Sequence, residues 1–301
     1  MSKMWSISVP GSTANLGPGF DSVGLALGLY LKLDVTLQNE WQFVHHSSHL
    51  PVEMIVEDHL VYQVAQQVAQ KFNVQLPACK VDMYSELPLA RGLGSSASAI
   101  VAAIELVNVV CDLQLDEQAK CALSSEIEGH PDNAAASVCG GLVVGATLPN
   151  GELHLVNEKQ VDAAFAVFIP NVELKTAEAR KALPTTYEKG YAVHASAYSN
   201  LLVAALLKQD YALAGQFMEA DLFHEPFRAH LIPNYETIRT LARDHGAFGT
   251  SISGAGPTMI SLIDSSKVDA FVEKMQQYLP DYTIKAAHVD TQGVQVTVQN
   301  R

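Results

Sequence analysis

Two glycines set between a strand-like run and a helix-like run constrain this chain more than any other feature. Cys79 to Ser85 alternates in polarity as a half-buried strand does, and Ile100 to Val110 is an almost unbroken apolar run that reads as a buried helix. Between them lies Glu86-Leu87-Pro88-Leu89-Ala90-Arg91-Gly92-Leu93-Gly94-Ser95-Ser96-Ala97-Ser98-Ala99. The glycines therefore fall where a loop becomes a helix N-terminus. Free backbone N–H groups and the positive end of the helix dipole gather there and suit an anion such as phosphate. Gly92 and Gly94 permit close approach of the backbone or a positive φ. Ser95, Ser96 and Ser98 add hydroxyls able to meet phosphate oxygens or a magnesium ion. A helix capped by Ser after a glycine turn is the plainer reading of the same residues.

Two familiar phosphate loops do not fit. A Walker A loop closes with Gly-Lys-Ser/Thr, and no Lys follows Gly94. A dinucleotide fingerprint needs a second strand ending in an acidic residue about 20 positions on. Here Val110 runs instead into Cys111-Asp112-Leu113-Gln114-Leu115-Asp116-Glu117, a connector to another helix.

Composition narrows the classes further. The chain has 301 residues and is 48% hydrophobic, yet no apolar run approaches the roughly 18 to 20 residues of a membrane span. Met1-Ser2-Lys3-Met4-Trp5-Ser6 lacks the apolar core of a signal peptide, so a cytoplasmic location is expected. A formal net charge of −13 argues against a broad nucleic-acid or anionic-membrane surface but leaves room for ATP, which a few local donors can hold. Cys79, Cys111, Cys121 and Cys139 show no C-x-x-C spacing and read as free, mostly buried thiols. His45-His46-x-x-His49 reads as a solvated loop before a metal site.

Taken in order, Trp5 to Val9 reads as a strand ended by Pro10-Gly11, followed by a polar, glycine-rich loop from Ser12 to Leu25. A strand over Leu31 to Leu37 and a helix over Leu60 to Phe72, capped by Asp58, come next. After the central loop and helix, a helix over Asp116 to Glu126 leads into Glu128-Gly129-His130-Pro131-Asp132-Asn133. Leu142 to Ala146 is a strand, Pro149-Asn150-Gly151 a turn, and the pattern changes near 150 to 165. Beyond it lie a strand at Phe165 to Ile169, helices at Ala192 to Lys208 and Ala212 to Met218, and a glycine turn within Thr250 to Ile260. A helix at Lys267 to Leu279 and strands at Tyr282 to Ala287 and Val294 to Gln299 close the pattern.

Pro88-x-x-x-Gly92-Leu93-Gly94-Ser95-Ser96-Ala97 resembles the phosphate loop of the GHMP kinases, and Ser253-Gly254-Ala255-Gly256 resembles their third motif. The resemblance covers the whole chain. It implies an α+β, two-domain fold: residues 1–155 as an N-terminal ribosomal-protein-S5-domain-2-like α/β domain and 156–301 as a C-terminal ferredoxin-like α/β sandwich. It implies ATP held by Pro88, Leu89, Ala90, Arg91, Gly92, Leu93, Gly94, Ser95, Ser96, Ala97 and Ser98. It further implies Mg²⁺ on Ser96 and on Glu126, which closes an Ala122-x-x-x-Glu126 pattern, with Glu128 as the fallback. The Asn15/Asp21 segment, His130-Pro131-Asp132-Asn133, Thr176, Arg180 and Arg228 are similar to the homoserine-phosphorylating branch. In that reading Asn15, Asp21, His130, Asn133, Thr176, Arg180 and Arg228 bind substrate, and Asn133, Arg180 and Ser96 act in catalysis. The implied reaction moves the γ-phosphoryl of ATP to the side-chain hydroxyl of L-homoserine, in threonine biosynthesis. A mevalonate-type kinase and a non-catalytic ligand-binding member are the alternatives, and the resemblance leaves room for a homodimer.

Overall fold

Polarity alternation along the first strands is uneven because both of their faces are covered for much of their length. The structure is a computed structural model describing residues 3–52 and 54–300; Met1 and Ser2 of the N-terminal segment read above lie outside them. The first half comprises β1 (Lys3–Asn15), β2 (Gly19–Leu37), β3 (Gln42–His45), α1 (Leu60–Lys71), β4 (Cys79–Ser85), α2 (Ser95–Val110), α3 (Glu117–Glu128), α4 (Pro131–Cys139), β5 (Leu142–Thr147) and β6 (Leu153–Glu158). The second comprises β7 (Ala164–Ile169), α5 (Thr176–Lys181), α6 (Lys189–Leu207), α7 (Tyr211–Met218), α8 (Glu225–Arg228), α9 (Tyr235–Asp244), β8 (Gly249–Ile252), β9 (Met259–Ile263), α10 (Val268–Tyr278), β10 (Thr283–His288) and β11 (Gln295–Asn300).

Pro10 and Gly11 do not end the first strand. The register shifts between them, from Pro10 opposite Tyr30 to Gly11 opposite Leu27, so the extra residues of the bulge, Gly28 and Leu29, lie on β2 and β1 continues to Asn15. Most of the expected loop from Ser12 to Leu25 is thus two paired strands joined at Leu16–Pro18. The first sheet runs β11-β1-β2-β4-β3, with β5 on β2 and β6 on β5. Among the described residues only β3 and β4 pair in parallel. The second sheet runs β10-β7-β9-β8, the ferredoxin-like order, entirely antiparallel.

One core serves both sheets. Phe165, Val167 and Ile169 of β7 join the main apolar cluster with residues of the first sheet, α2, α6 and α7. Ala164, Ala166 and Phe168 face the other way, toward Ile238 of α9 and Phe271 and Met275 of α10. The period of two in β7 therefore reads as a strand covered on both faces. The division at 155/156 is not clean in space, since β6 spans it and β11 returns from the far end of the chain to pair with β1. Asp58 is not the cap of α1; His59 is, accepting the Val61 N–H through Nδ1. The four cysteines are free, and Cys79, Cys121 and Cys139 are buried. No helix among the described residues is long and apolar enough to cross a membrane.

Candidate active site

The loop between β4 and α2 is held from both sides. Gly94 is the N-cap of α2 in the left-handed conformation (φ 68°). A Cβ there would stand 2.3 Å from the Ser12 hydroxyl, and one on Gly92 (φ 77°) would stand 2.3 Å from the Ser253 carbonyl. Only glycine meets both the dihedral and the contact. The Ser253 hydroxyl lies 2.6 Å from the Gly92 carbonyl and 2.8 Å from Thr13 Oγ1. Gly254 N–H donates to the Ala14 carbonyl at 3.1 Å, and Thr258 N–H to that of Arg91 at 3.3 Å. Three glycine-rich segments distant in sequence are thereby locked around one helix end.

Glu128 meets that end from α3. Gly129 (φ 93°) terminates the helix, and Ser96 Oγ donates to the Glu128 carboxylate at 3.4 Å. Burial pushes the Glu128 carboxyl above its ordinary range. Glu126 sits about 200° around the helix from it, pairs with Lys71 and has a side chain 63% exposed. The structure thus places Glu126 outside the cavity and Glu128 on its wall.

The cavity measures about 430 Å³. Gly92, Gly94, Ser95 and Ser96 line it, together with a polar group made of Asn15, Asp21, His130, Asn133, Thr176, Arg180 and Arg228. Asn15 (φ 73°) is a junction: its Oδ1 accepts the Asp21 N–H at 3.0 Å and its Nδ2 donates to the Gly254 carbonyl at 2.9 Å. Asp21 takes both arms of the Arg180 fork, at 2.8 and 3.0 Å. That hydrogen bond, with the Asp21 charge, raises the Arg180 pKa. Arg228 is buried, donating from Nε to the Ala179 carbonyl at 3.1 Å and from Nη1 to that of Gly254 at 3.3 Å. Burial, then the Arg180 charge, holds it down to about 10. His130 Nδ1 lies 2.6 Å from Asp132; burial opposes its charge, but Asp132 outweighs that and raises its pKa. Asn133 Nδ2 donates to Ser12 Oγ at 3.0 Å.

Similarity to known proteins agrees with this arrangement. The family model described as "GHMP kinases N terminal domain" matches residues 59–141, and that described as "GHMP kinases C terminal" matches 202–281. The chain is 48% identical over 294 residues to a protein named homoserine kinase from Oceanobacillus iheyensis, covering 97% of this chain and 98% of that one. This chain belongs to the GHMP kinase family. A homoserine kinase from Bacillus velezensis is also 48% identical, over 96% of this chain and 94% of its own. The crystal structure of homoserine kinase from Cytophaga hutchinsonii superposes with a TM-score of 0.84 at 26% identity, covering 98% of this chain and 97% of the other.

Not every residue of the GHMP loop faces the cavity. Leu93 and Ala97 are core residues, and Ser98 is fully buried with its hydroxyl on the carbonyls of Pro10 and Gly94, both at 3.0 Å. The expectation that the Ser98 hydroxyl meets phosphate is therefore overturned; it fastens α2 to β1. Arg91 turns away to the carbonyls of Leu89 and Pro170 and to Glu173. Leu89 and Ala90 line the cavity, and Pro88 is not among its lining residues.

Other wall residues of this GHMP kinase belong to none of its sequence motifs. His45, Leu50, Pro51, Met54, His59 and Met83 form a largely apolar part of the lining. His45, expected in a solvated loop, instead has its Nδ1 2.7 Å from the Pro51 carbonyl and its Nε2 3.1 Å from Nε2 of His59. His59 stacks on Phe43 at 3.9 Å, and burial followed by the His45 charge lowers it to about 4. Because His59 Nδ1 accepts the Val61 N–H and His45 Nδ1 faces a carbonyl, His59 donates and His45 accepts across the Nε2 pair.

Proposed function

We propose that this GHMP kinase is a homoserine kinase, converting ATP and L-homoserine to ADP and O-phospho-L-homoserine, a step of threonine biosynthesis. The observation that carries the reading is the opposed pair of charge types beside the helix end: Asp21 on one side, Arg180 and Arg228 on the other, with Gly92 to Ser96 adjoining. A small zwitterion carrying a hydroxyl fits such a wall. Its ammonium would go to Asp21 with help from Asn15, and its carboxylate to the planar forks of Arg180 and Arg228. Thr176 and His130 complete the enclosure. The apolar part of the lining, from His45 to Met83, suits an adenine ring.

Phosphoryl transfer has a loose, anionic transition state, so positioning and charge neutralisation supply most of the acceleration. The backbone N–H groups at the start of α2, with its dipole, would cradle the phosphates. Ser96 and Glu128 fit Mg²⁺ because they offer two hard oxygen donors side by side, one of them a carboxylate destabilised by burial. When bound, the ion would offset charge on the phosphate oxygens. Asn133, held by Ser12, would orient the substrate hydroxyl. Its amide cannot take a proton at neutral pH, and the loose transition state makes little demand for a base.

The test is ADP release from MgATP with L-homoserine, run in parallel with L-serine, L-threonine and mevalonate and without acceptor, with phosphorus NMR of the product. Strong homoserine-dependent release with a phosphomonoester on the side-chain oxygen is expected. Release with mevalonate alone would keep the kinase and discard the zwitterion site. No release with any alcohol would sink the reading.

A further inference from the structure

Phe20 sits against both guanidinium groups of the polar wall. Its ring centroid lies 5.3 Å from the guanidinium carbon of Arg228 and 5.7 Å from that of Arg180. The same ring stacks on His224 at 5.3 Å, with 25° between the planes. His224 is fully buried. Its Nε2 lies 3.0 Å from the Gly17 carbonyl and its Nδ1 3.3 Å from Nη1 of Arg228. These two neighbours assign the tautomer: a carbonyl requires a proton on Nε2, and a guanidinium requires a lone pair on Nδ1. His224 therefore ties the turn that leads into Phe20 of β2 to Arg228 while staying neutral.

The two arginines oppose each other, and only one has a close carboxylate. Asp21 takes both arms of Arg180, whereas the fork of Arg228 is met by two backbone carbonyls and His224. An aromatic face is an apolar surface that attracts a guanidinium through its quadrupole and still leaves the N–H edge free to donate. A branched aliphatic side chain would fill the same space without that attraction.

We propose that Phe20, backed by His224, is a positioning residue: it holds the guanidiniums of Arg180 and Arg228 together as one clamp for the carboxylate of the substrate. The inference rests on the reading of those arginines given above. Phe20 acts through them and takes no part in the transfer itself.

Phe20→Leu and Phe20→Tyr decide the matter, each first shown to melt cooperatively near the wild-type temperature. Leucine should raise the KM for L-homoserine by roughly five- to thirty-fold and leave the KM for MgATP within about twofold. Tyrosine, which keeps the aromatic face, should stay near wild type. Inhibition by 3-aminopropan-1-ol, which carries the ammonium and hydroxyl of homoserine without its carboxylate, should be the same in wild type and Phe20→Leu. An equal rise in both KM values, an equal loss of the amino alcohol, no change with leucine, or a tyrosine variant as impaired as leucine would each overturn the clamp. If wild type itself releases no ADP with homoserine, the functional reading falls and takes the clamp with it.

Discussion

Two glutamates one turn-fraction apart on α3 have opposite fates. Glu128 faces Ser96 across the cavity wall, and Glu126 is half of an exposed pair with Lys71. The Lys71–Glu126 pair contributes under about 1 kcal/mol to stability, because both ends are solvated. Glu126→Gln should therefore leave turnover and melting temperature essentially unchanged. Glu128→Gln should raise the magnesium concentration for half-maximal rate by roughly tenfold or more. A magnesium titration of the two variants separates them, and a larger effect from Glu126→Gln would return the metal to that residue. The pattern Ala122-x-x-x-Glu126 could not make this choice, since both residues lie in the last turn of the helix and only its rotation against α2 distinguishes them.

Packing between elements fixes where Asp132 and Asn133 stand. Gly24 of β2 passes so close to the start of α4 that a Cβ would lie 1.9 Å from the Asp132 carbonyl oxygen. Gly28, in the same strand, has only ordinary contacts, the nearest being the His288 carbonyl at 3.4 Å. Gly24→Ala must push α4 outward, at a cost of about 1–3 kcal/mol or more, and carry Asn133 away from Ser12. Calorimetry should show a melting temperature several degrees lower, with kcat/KM down more than tenfold, while Gly28→Ala stays near wild type. Had Gly24→Ala left both quantities intact, α4 would have to be more compliant than its contacts imply. Elements closed by local signals were readable from the residues alone. β4 matches Cys79 to Ser85 at both ends, and α2 begins where Gly94 caps it. What escaped depended on partners far along the chain. Ser12, Thr13 and Asn15 look like loop residues, yet they lie buried in β1 because Asn133, Ser253 and Gly254 satisfy them. His45 and His59 likewise meet only once β3 pairs with β4.

At the scale of the molecule, the cavity draws on both halves of the chain, and one ion pair of its polar wall is closed before any substrate arrives. Asp21 comes from β2 and Arg180 from α5, and they satisfy each other directly. On the proposed reading, a zwitterion entering between them replaces one ion pair by two without changing the sum of charges in the site. Its affinity should accordingly be almost indifferent to ionic strength. ATP is a different case, for it is an anion approaching a chain of formal net charge −13, and added salt shortens the reach of that repulsion. Raising potassium chloride from about 0.02 M to 0.2 M should leave kcat/KM for homoserine within about twofold and increase that for MgATP. A steep salt dependence for homoserine would mean that the pair does not open to admit it. With the expected result, the enzyme senses the salinity of its surroundings through its nucleotide and stays blind to it through its amino acid.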